Sequence, residues 1–434
     1  EAGAFTFDLA RSIVYTRQGN PAWAGDERDG QAPVRAGDMF YGAKAGDEQP
    51  DWVNLDKVAI PQADEAQRLL ANMITHMLAD EYPMPRFWYL PRGEKAAVVM
   101  THDDHGSGAI VARLNSYNAA SESGCNANNW ECVRSTTYLY PNSQISNAQL
   151  EAYEQQGHEF AVHVDTGCGN FTLASLESFY ASDFLAYEAA FPNADVQLTQ
   201  RTHCIAYSDW FSQPTVQLEH GVRMDTNYYF WPPLWVGDRP GMFTGSGMPM
   251  RFADVDGTMI DVYQAATQMT DESGQSFPYT IDTLLDRALG SEGYYGAFVA
   301  NQHTDSAAAA TYAAQTVAAA QARNVPIISA RQLLEWTDAR NASSVSGMSY
   351  DAGSNSMTFA VDADAAANGL VVMIPATFQG DEINQVSVDG TPTAHTLTTI
   401  KGVQYAQVAA SDGLYTVSFD ADVTTPTVTG VTPA

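Results

Sequence analysis

Basic residues are scarce in this chain: 21 Lys and Arg stand against 51 Asp and Glu, a formal charge of −30 over 434 residues. Nucleic-acid binding is driven by clustered Lys and Arg that release counterions, so that class of partner is excluded. A polyanionic substrate is disfavoured on the same ground. Acidity of this size keeps a secreted protein soluble and names no substrate. Long apolar runs are also missing; none approaches the roughly 18–20 residues that a membrane helix needs, and no membrane partner is expected. There is no internal repeat and no heptad run. The start, "EAGAFTFDLARSIVYTRQGNP", has acids and polar breaks where a signal peptide would carry a charged start and an apolar core. The end, "DADVTTPTVTGVTPA", has the Thr, Val and Pro of linkers between extracellular β-modules. The chain is therefore expected to be a piece of a longer one that carries further β-modules.

Cysteine is sparse, with four residues and no CxxC pair, which argues against a thiolate metal site. Cys125 and Cys132 bracket a short Asn-rich loop, and a bridge there leaves Cys168 and Cys204 as partners. Both pairs fit an oxidising compartment, hence a secreted, periplasmic or cell-surface location.

What is present is an alternation. After residues 1–90, a turn-rich α/β segment that ends in the amphipathic helix "QADEAQRLLANMITHMLADE", short apolar strands alternate with helical stretches. The series runs from "KAAVVMTH" through "HEFAVHVD", "TQRTHCIAY", "GVRMDTNYYF", "MIDVYQAAT" and "YYGAFVANQH" to "VPIISARQLLEW". Parallel strands joined by crossover helices follow, and six or seven such units predict an α/β fold, a distorted (β/α) barrel of about seven strands over residues 91–340. Residues 341–423 alternate polar and apolar positions between Asp-Gly and Gly turns, the pattern of a β-sandwich accessory module. Residues 424–434 read as linker, and residues 1–90 as the possible end of an upstream domain.

In a parallel barrel, catalytic groups come from the carboxyl ends of several strands. Three of the strands here end in His and Asp: "AAVVM" in Thr101, His102, Asp103, Asp104 and His105, "HEFAV" in His163 and Asp165, and "VANQ" in His303 and Asp305. Two adjacent carboxylates raise one another's pKa unless a cation or an arginine sits beside them. A borderline divalent metal such as zinc takes Asp oxygen and His nitrogen and, in a catalytic site, keeps a position for water. The loop "DTNYYFWPPLWVGDRPGMF" is rich in aromatics, and Tyr229, Trp231 and Trp235 are candidates to stack on sugar rings.

These strand ends resemble, in order, the motifs of the polysaccharide deacetylases of the NodB-homology type, carbohydrate esterase family four. "THDDHG" stands at the family's TFDDG, "GHEFAVHVDTG" at its second motif, "RTHC" at the third, "DTNYYFW" at the fourth and "ANQH" at the fifth, over about residues 91–340. The resemblance implies a NodB-like barrel and a metal-dependent enzyme that removes N- or O-acetyl groups from a glycan. It implies Asp103 as general base, Asp104 and His163 as metal ligands, Arg201 as the holder of Asp103, Asp225 as the residue that orients His303, and His303 as general acid. The metal would be divalent, with zinc first.

The chain departs from the family at Gly167, which stands where the second metal-binding histidine is expected, and at His203 and Cys204, which replace the Pro and Tyr of the third motif. Strand alternation puts Asp165 on the face of His163, so Asp165 is first for the third ligand, with His105 and His203 next and Cys168 available only as a free thiol. A carbohydrate-binding protein that keeps the barrel without the metal is the alternative function.

Overall fold

A computed structural model describes residues 3–42 and 51–421 of the chain. The linker expected over residues 424–434 lies outside them. The chain divides into two compact units, one of residues 5–68 and 94–337, the other of residues up to 4, 69–93 and 338 onward.

The first unit is built on one curled sheet. Its strands are β1 Ala96–Asp104, β2 Thr136–Leu139, β3 Glu159–Val164, β4 Thr199–Thr202, β5 Met224–Asp225, β6 Met250–Ala253, β7 Met259–Gln264, β8 Thr267–Thr270, β9 Gly296–Asn301 and β10 Ile327–Ile328. They lie in the order β6-β7-β5-β4-β3-β2-β1-β9-β8, with β10 paired to β1. Every pairing is parallel except that of β6 with β7. β1 is buried along its whole length, as a strand covered on both faces must be, and so its run "AAVVM" is continuously apolar. Helices Ile110–Ala120, Asn147–Glu154, Leu173–Ala190, Ser212–Glu219, Tyr279–Leu289 and Ala307–Gln321 cross between successive parallel strands. Three start where the sequence says they should: the side chains of Ser146, Thr172 and Ser306 accept from the backbone N–H three residues on.

The sheet has ten strands where about seven are expected. β2 (TTYL) and β8 (TQMT) are too polar, and β6 too short, to stand out as apolar runs. The curl is visible in one side chain. Arg201 on β4 donates through Nη2 to Thr267 Oγ1 on β8 at 2.9 Å, although four strands separate β4 from β8 in the sheet. Tyr229, just beyond β5, also bridges to Thr267.

Residues 5–42 pack into this unit. Arg17 is buried and donates to Gln264 Oε1 and Met248 O, Gln18 exchanges two hydrogen bonds with the Ala253 backbone, and Phe40 meets Tyr228 and Phe243 edge-on.

The second unit contains a six-stranded and a four-stranded sheet, both antiparallel, with Phe359, Tyr415 and Val417 of the one and Val372, Ile374 and Val408 of the other in a single apolar core. Strand Ser356–Asp362 alternates in burial, which is the period-two pattern read from the sequence. The short strand Arg86–Phe87 joins the four-stranded sheet beside Val371–Pro375, a pairing across almost 300 residues that no local pattern announces.

Candidate active site

β1 delivers the central carboxylate. Alternation along a strand puts Thr101, Asp103 and His105 on one face and His102 and Asp104 on the other. The inner set meets Arg201, which is paired in register with His163 across β3 and β4. Arg201 is fully buried and donates through Nη1 to Asp103 Oδ1 at 3.1 Å and to Thr101 Oγ1 at 2.9 Å. Asn301, at the end of β9, donates to Asp103 Oδ2 at 2.9 Å, and His303 Nε2 lies 3.7 Å from that oxygen. Burial opposes ionisation of Asp103, but the Arg201 guanidinium, with the His303 imidazolium beside it, holds its carboxyl well below the usual carboxylate range.

The outer set serves the fold. His102 accepts a place against the helix layer, its Nδ1 donating to Gln302 O at 2.7 Å and its ring stacked on Tyr117. Asp104 is buried and saturated: Ser143 Oγ and the Gly106 N–H donate to Oδ1 at 2.9 Å each, and Thr304 Oγ1 donates to Oδ2 at 2.6 Å. Asp104, implied as a metal ligand, is engaged in these three hydrogen bonds and is not among the groups that converge below.

Three histidines converge instead. Ligand nitrogens of His105, His163 and His203 all lie within 4.8 Å of one another. His163 Nδ1 donates to Arg201 O at 2.9 Å, which leaves Nε2 as the free nitrogen, 3.3 Å from His203 Nδ1. Burial pushes His163 down to about 3, so its ring is neutral. His105 Nδ1 donates to Asp305 Oδ2 at 2.9 Å, which turns its Nε2 free in the same way. A ligand histidine whose second nitrogen is tied to a carbonyl or a carboxylate is the usual support of a metal centre, and three imidazole nitrogens suit a borderline divalent cation. The residues present fit such an ion.

Asp165 stands outside this group. It lies in the turn just beyond β3, and its Oδ1 accepts the Gly167 N–H at 2.7 Å. Gly167 adopts φ +68° in the turn that follows, with open space where a side chain would begin. Cys168 is bonded to Cys204, and Cys125 to Cys132, so no thiol is available as a ligand. The Cys168–Cys204 bridge ties the turn after β3 to the residue next to His203, and His203 supplies the third corner that Gly167 lacks.

His303 is oriented by Asp271, not by Asp225. Its Nδ1 donates to Asp271 Oδ1 at 2.9 Å, and its backbone N–H donates to the same oxygen at 3.2 Å. Burial disfavours its charged form, yet Asp271, Asp103 and Glu272 push it up to about 9. Asp225 instead accepts from Gln217 Nε2 at 2.7 Å and from Asn227 Nδ2 at 2.6 Å, and burial pushes it up to about 6. It braces Asn227, which in turn accepts the Thr202 N–H at the end of β4.

These groups open onto a pocket of about 210 Å³ whose walls include Asp103, His203, His303, Glu272, Tyr229 and Trp231. Arg35 closes one side; its Nε donates to Cys204 O at 2.9 Å and its guanidinium lies 5.3 Å from the Trp231 ring. Trp235 is not on the pocket. It is 1% exposed and packs against Phe230, Phe243 and Tyr41, because the short helix Pro233–Val236 turns it inward. Asp271 and Glu272 follow β8 and were within reach of the strand-end rule, but β8 itself carries no apolar signal. Arg35, Tyr140, Asn301 and Asp305 join through tertiary contacts, and Tyr140 packs its ring 5.3 Å from His163.

A parallel, curled α/β sheet with an acid, an arginine and histidines at its strand ends is thus the class that fold and site define. No family model matches the chain, and no curated protein matches it. Among solved structures it is similar to a family 4 carbohydrate esterase from Streptomyces lividans, 14% identical over 53% of this chain and 90% of that one, with a TM-score of 0.33. It is similar also to a polysaccharide deacetylase from Bacillus cereus, 10% identical over 54% and 91%, TM-score 0.31. An α-L-fucosidase from Bacteroides thetaiotaomicron is 10% identical over 75% and 93%, TM-score 0.30. Several of the similar structures are family 4 esterases or polysaccharide deacetylases, the family that the ordered motifs resemble.

Proposed function

We propose that this chain is a cation-dependent deacetylase that removes N- or O-linked acetyl groups from a carbohydrate. The observation that carries the reading is Asp103, held ionised by Arg201 and Asn301 at the floor of a pocket, with His303 beside it and three histidines converging next to it. A divalent cation of the zinc type, held by His105, His163 and His203, would supply Lewis-acid polarisation of the acetyl carbonyl and activation of water. Asp103 takes the proton of the attacking water, and Arg201 keeps its carboxylate aimed. His303, protonated against Asp271, gives a proton to the departing amine or alcohol. Tyr229 and Trp231 line the space in which the sugar lies. The two disulfides support a secreted, periplasmic or cell-surface setting. Among the described residues no helix is long and apolar enough to cross a membrane.

The test pairs metal content with product. Protein equilibrated with zinc and desalted is expected to retain about one ion per chain and to release acetate from acetylated oligosaccharides. A chain that holds no ion and releases no acetate but binds glycans is the metal-free binding protein instead.

Asp271→Asn tests the general acid. Its carboxylate raises His303, so its loss lets the imidazolium deprotonate at lower pH. The alkaline limb of the pH–rate profile is expected to move downward, and kcat to fall by about 10²-fold or more. An unshifted profile would assign Asp271 to the fold alone.

A further inference from the structure

We propose that the cleft between helix Leu9–Gln18 and residues 52–62 is a second glycan-binding site, which seats a neutral pyranose ring on the exposed face of Trp52. The cleft has a volume of about 360 Å³ and shares no residue with the catalytic pocket. That volume is within the range of small-molecule sites, about 300–1,000 Å³.

Trp52 is 37% exposed, yet it is fixed. Its indole N–H donates to Tyr15 O at 2.8 Å, its backbone N–H donates to Phe40 O at 2.8 Å, and its ring is wedged between Tyr15 at 6.5 Å and Trp23 at 6.2 Å. The one polar atom of the side chain is thus spent inward, and what the indole presents outward is an apolar surface. A rigid aromatic of this kind loses little conformational entropy when a ligand covers it.

The rim is polar and directed at the same space. Asn54 uses Oδ1 to cap Asp56 N–H at 3.0 Å, which leaves its amide N–H groups for a ligand. Gln62, Arg11 and Asp8 complete the rim. Arg11 and Asp8 face each other at 3.8 Å with side chains 67% and 61% exposed, so both a donor and an acceptor are offered to solvent. A neutral sugar has this same division, an apolar C–H face and an equatorial belt of hydroxyls that both donate and accept. An anion would meet Asp8 and a field of −30, and an apolar ligand would strip water from the rim without replacing its hydrogen bonds.

The biological meaning of the site rests on the carbohydrate reading above, because a second foothold holds a polymer near the catalytic pocket by raising its effective concentration. The chemistry does not depend on that reading, and the experiment separates the two. Cellohexaose and xylohexaose carry no acetyl group, so calorimetric titration of the full chain measures binding without turnover. At least one is expected to bind, and Trp52→Ala to weaken that binding tenfold or more, with partial rescue by Trp52→Phe and an unchanged rate on an acetylated monosaccharide. If Trp52→Ala lowers the melting temperature enough to blur the titration, Asn54→Ala and Gln62→Ala together serve as the second variant, with a several-fold loss expected. Failure of both hexaoses to bind, or binding indifferent to these substitutions, overturns the site. Trp52-dependent binding in a chain that releases no acetate from any acetylated glycan overturns the deacetylase reading and leaves the site standing.

Discussion

Asp103→Asn is expected to lower acetate release by about 10²–10⁴-fold, the contribution of a positioned base, and at the same time to destabilise the fold by about 3–5 kcal/mol, the cost of leaving a buried charge without its partner. The second effect follows from Arg201, which is fully buried and has Asp103 as its carboxylate partner. Thr101, Thr267 and the Thr226 carbonyl solvate the guanidinium but do not neutralise it. The double variant Asp103→Asn with Arg201→Met removes the stranded charge, and its stability is expected to recover most of the loss while activity stays absent. Melting curves and acetate release on the two variants separate the electrostatic role of the pair from the chemical role of the base. Full activity in Asp103→Asn would remove Asp103 from the mechanism.

The histidines proposed to hold the cation give the second large effect. His203→Ala and His163→Ala are each expected to abolish stoichiometric zinc retention, whereas Asp104→Asn is expected to retain it. Asp305→Ala, which frees the His105 ring, should weaken zinc about 10–100-fold, the usual effect of losing the group behind a ligand histidine. Zinc content by atomic emission after desalting decides the matter. Loss of metal in Asp104→Asn with retention in His203→Ala would restore the family's arrangement and remove the three-histidine centre.

Much of the fold is legible because parallel sheets write themselves in continuous apolar runs and helices announce their starts. "AAVVM", "HEFAV" and "GAFVAN" are β1, β3 and β9, and Ser146, Thr172 and Ser306 mark three helices. β2 and β8 escape because their side chains bond to neighbours across the inner face of the curled sheet; Thr267, for example, serves Arg201. The candidate site is legible in part for the same reason. Asp103, Arg201, His163 and His303 are brought together from strand ends. Asp104 and Asp103 are neighbours in sequence but point to opposite faces of β1, and Asp104 is held by Ser143, Gly106 and Thr304. Asp165 lies in the turn after β3, where its Oδ1 accepts the Gly167 N–H, while His105 and His203 join His163 in the cluster. Asp271 follows a strand that is too polar to recognise, and Asp225 has the right residue type at the wrong strand end.

The packing of residues 5–42 bears on how this protein can be handled. A truncation at residue 91 would look natural from the alternating pattern, but it would take away Arg17, Gln18 and Arg35. Gln264 would lose the donor to its Oε1, the Ala253 backbone would lose both bonds to Gln18, and Cys204 O would lose the Arg35 contact beside the pocket. The sheet-bearing unit is therefore not a detachable cassette: in gene fusions or domain grafting, residues 5–42 must travel with it.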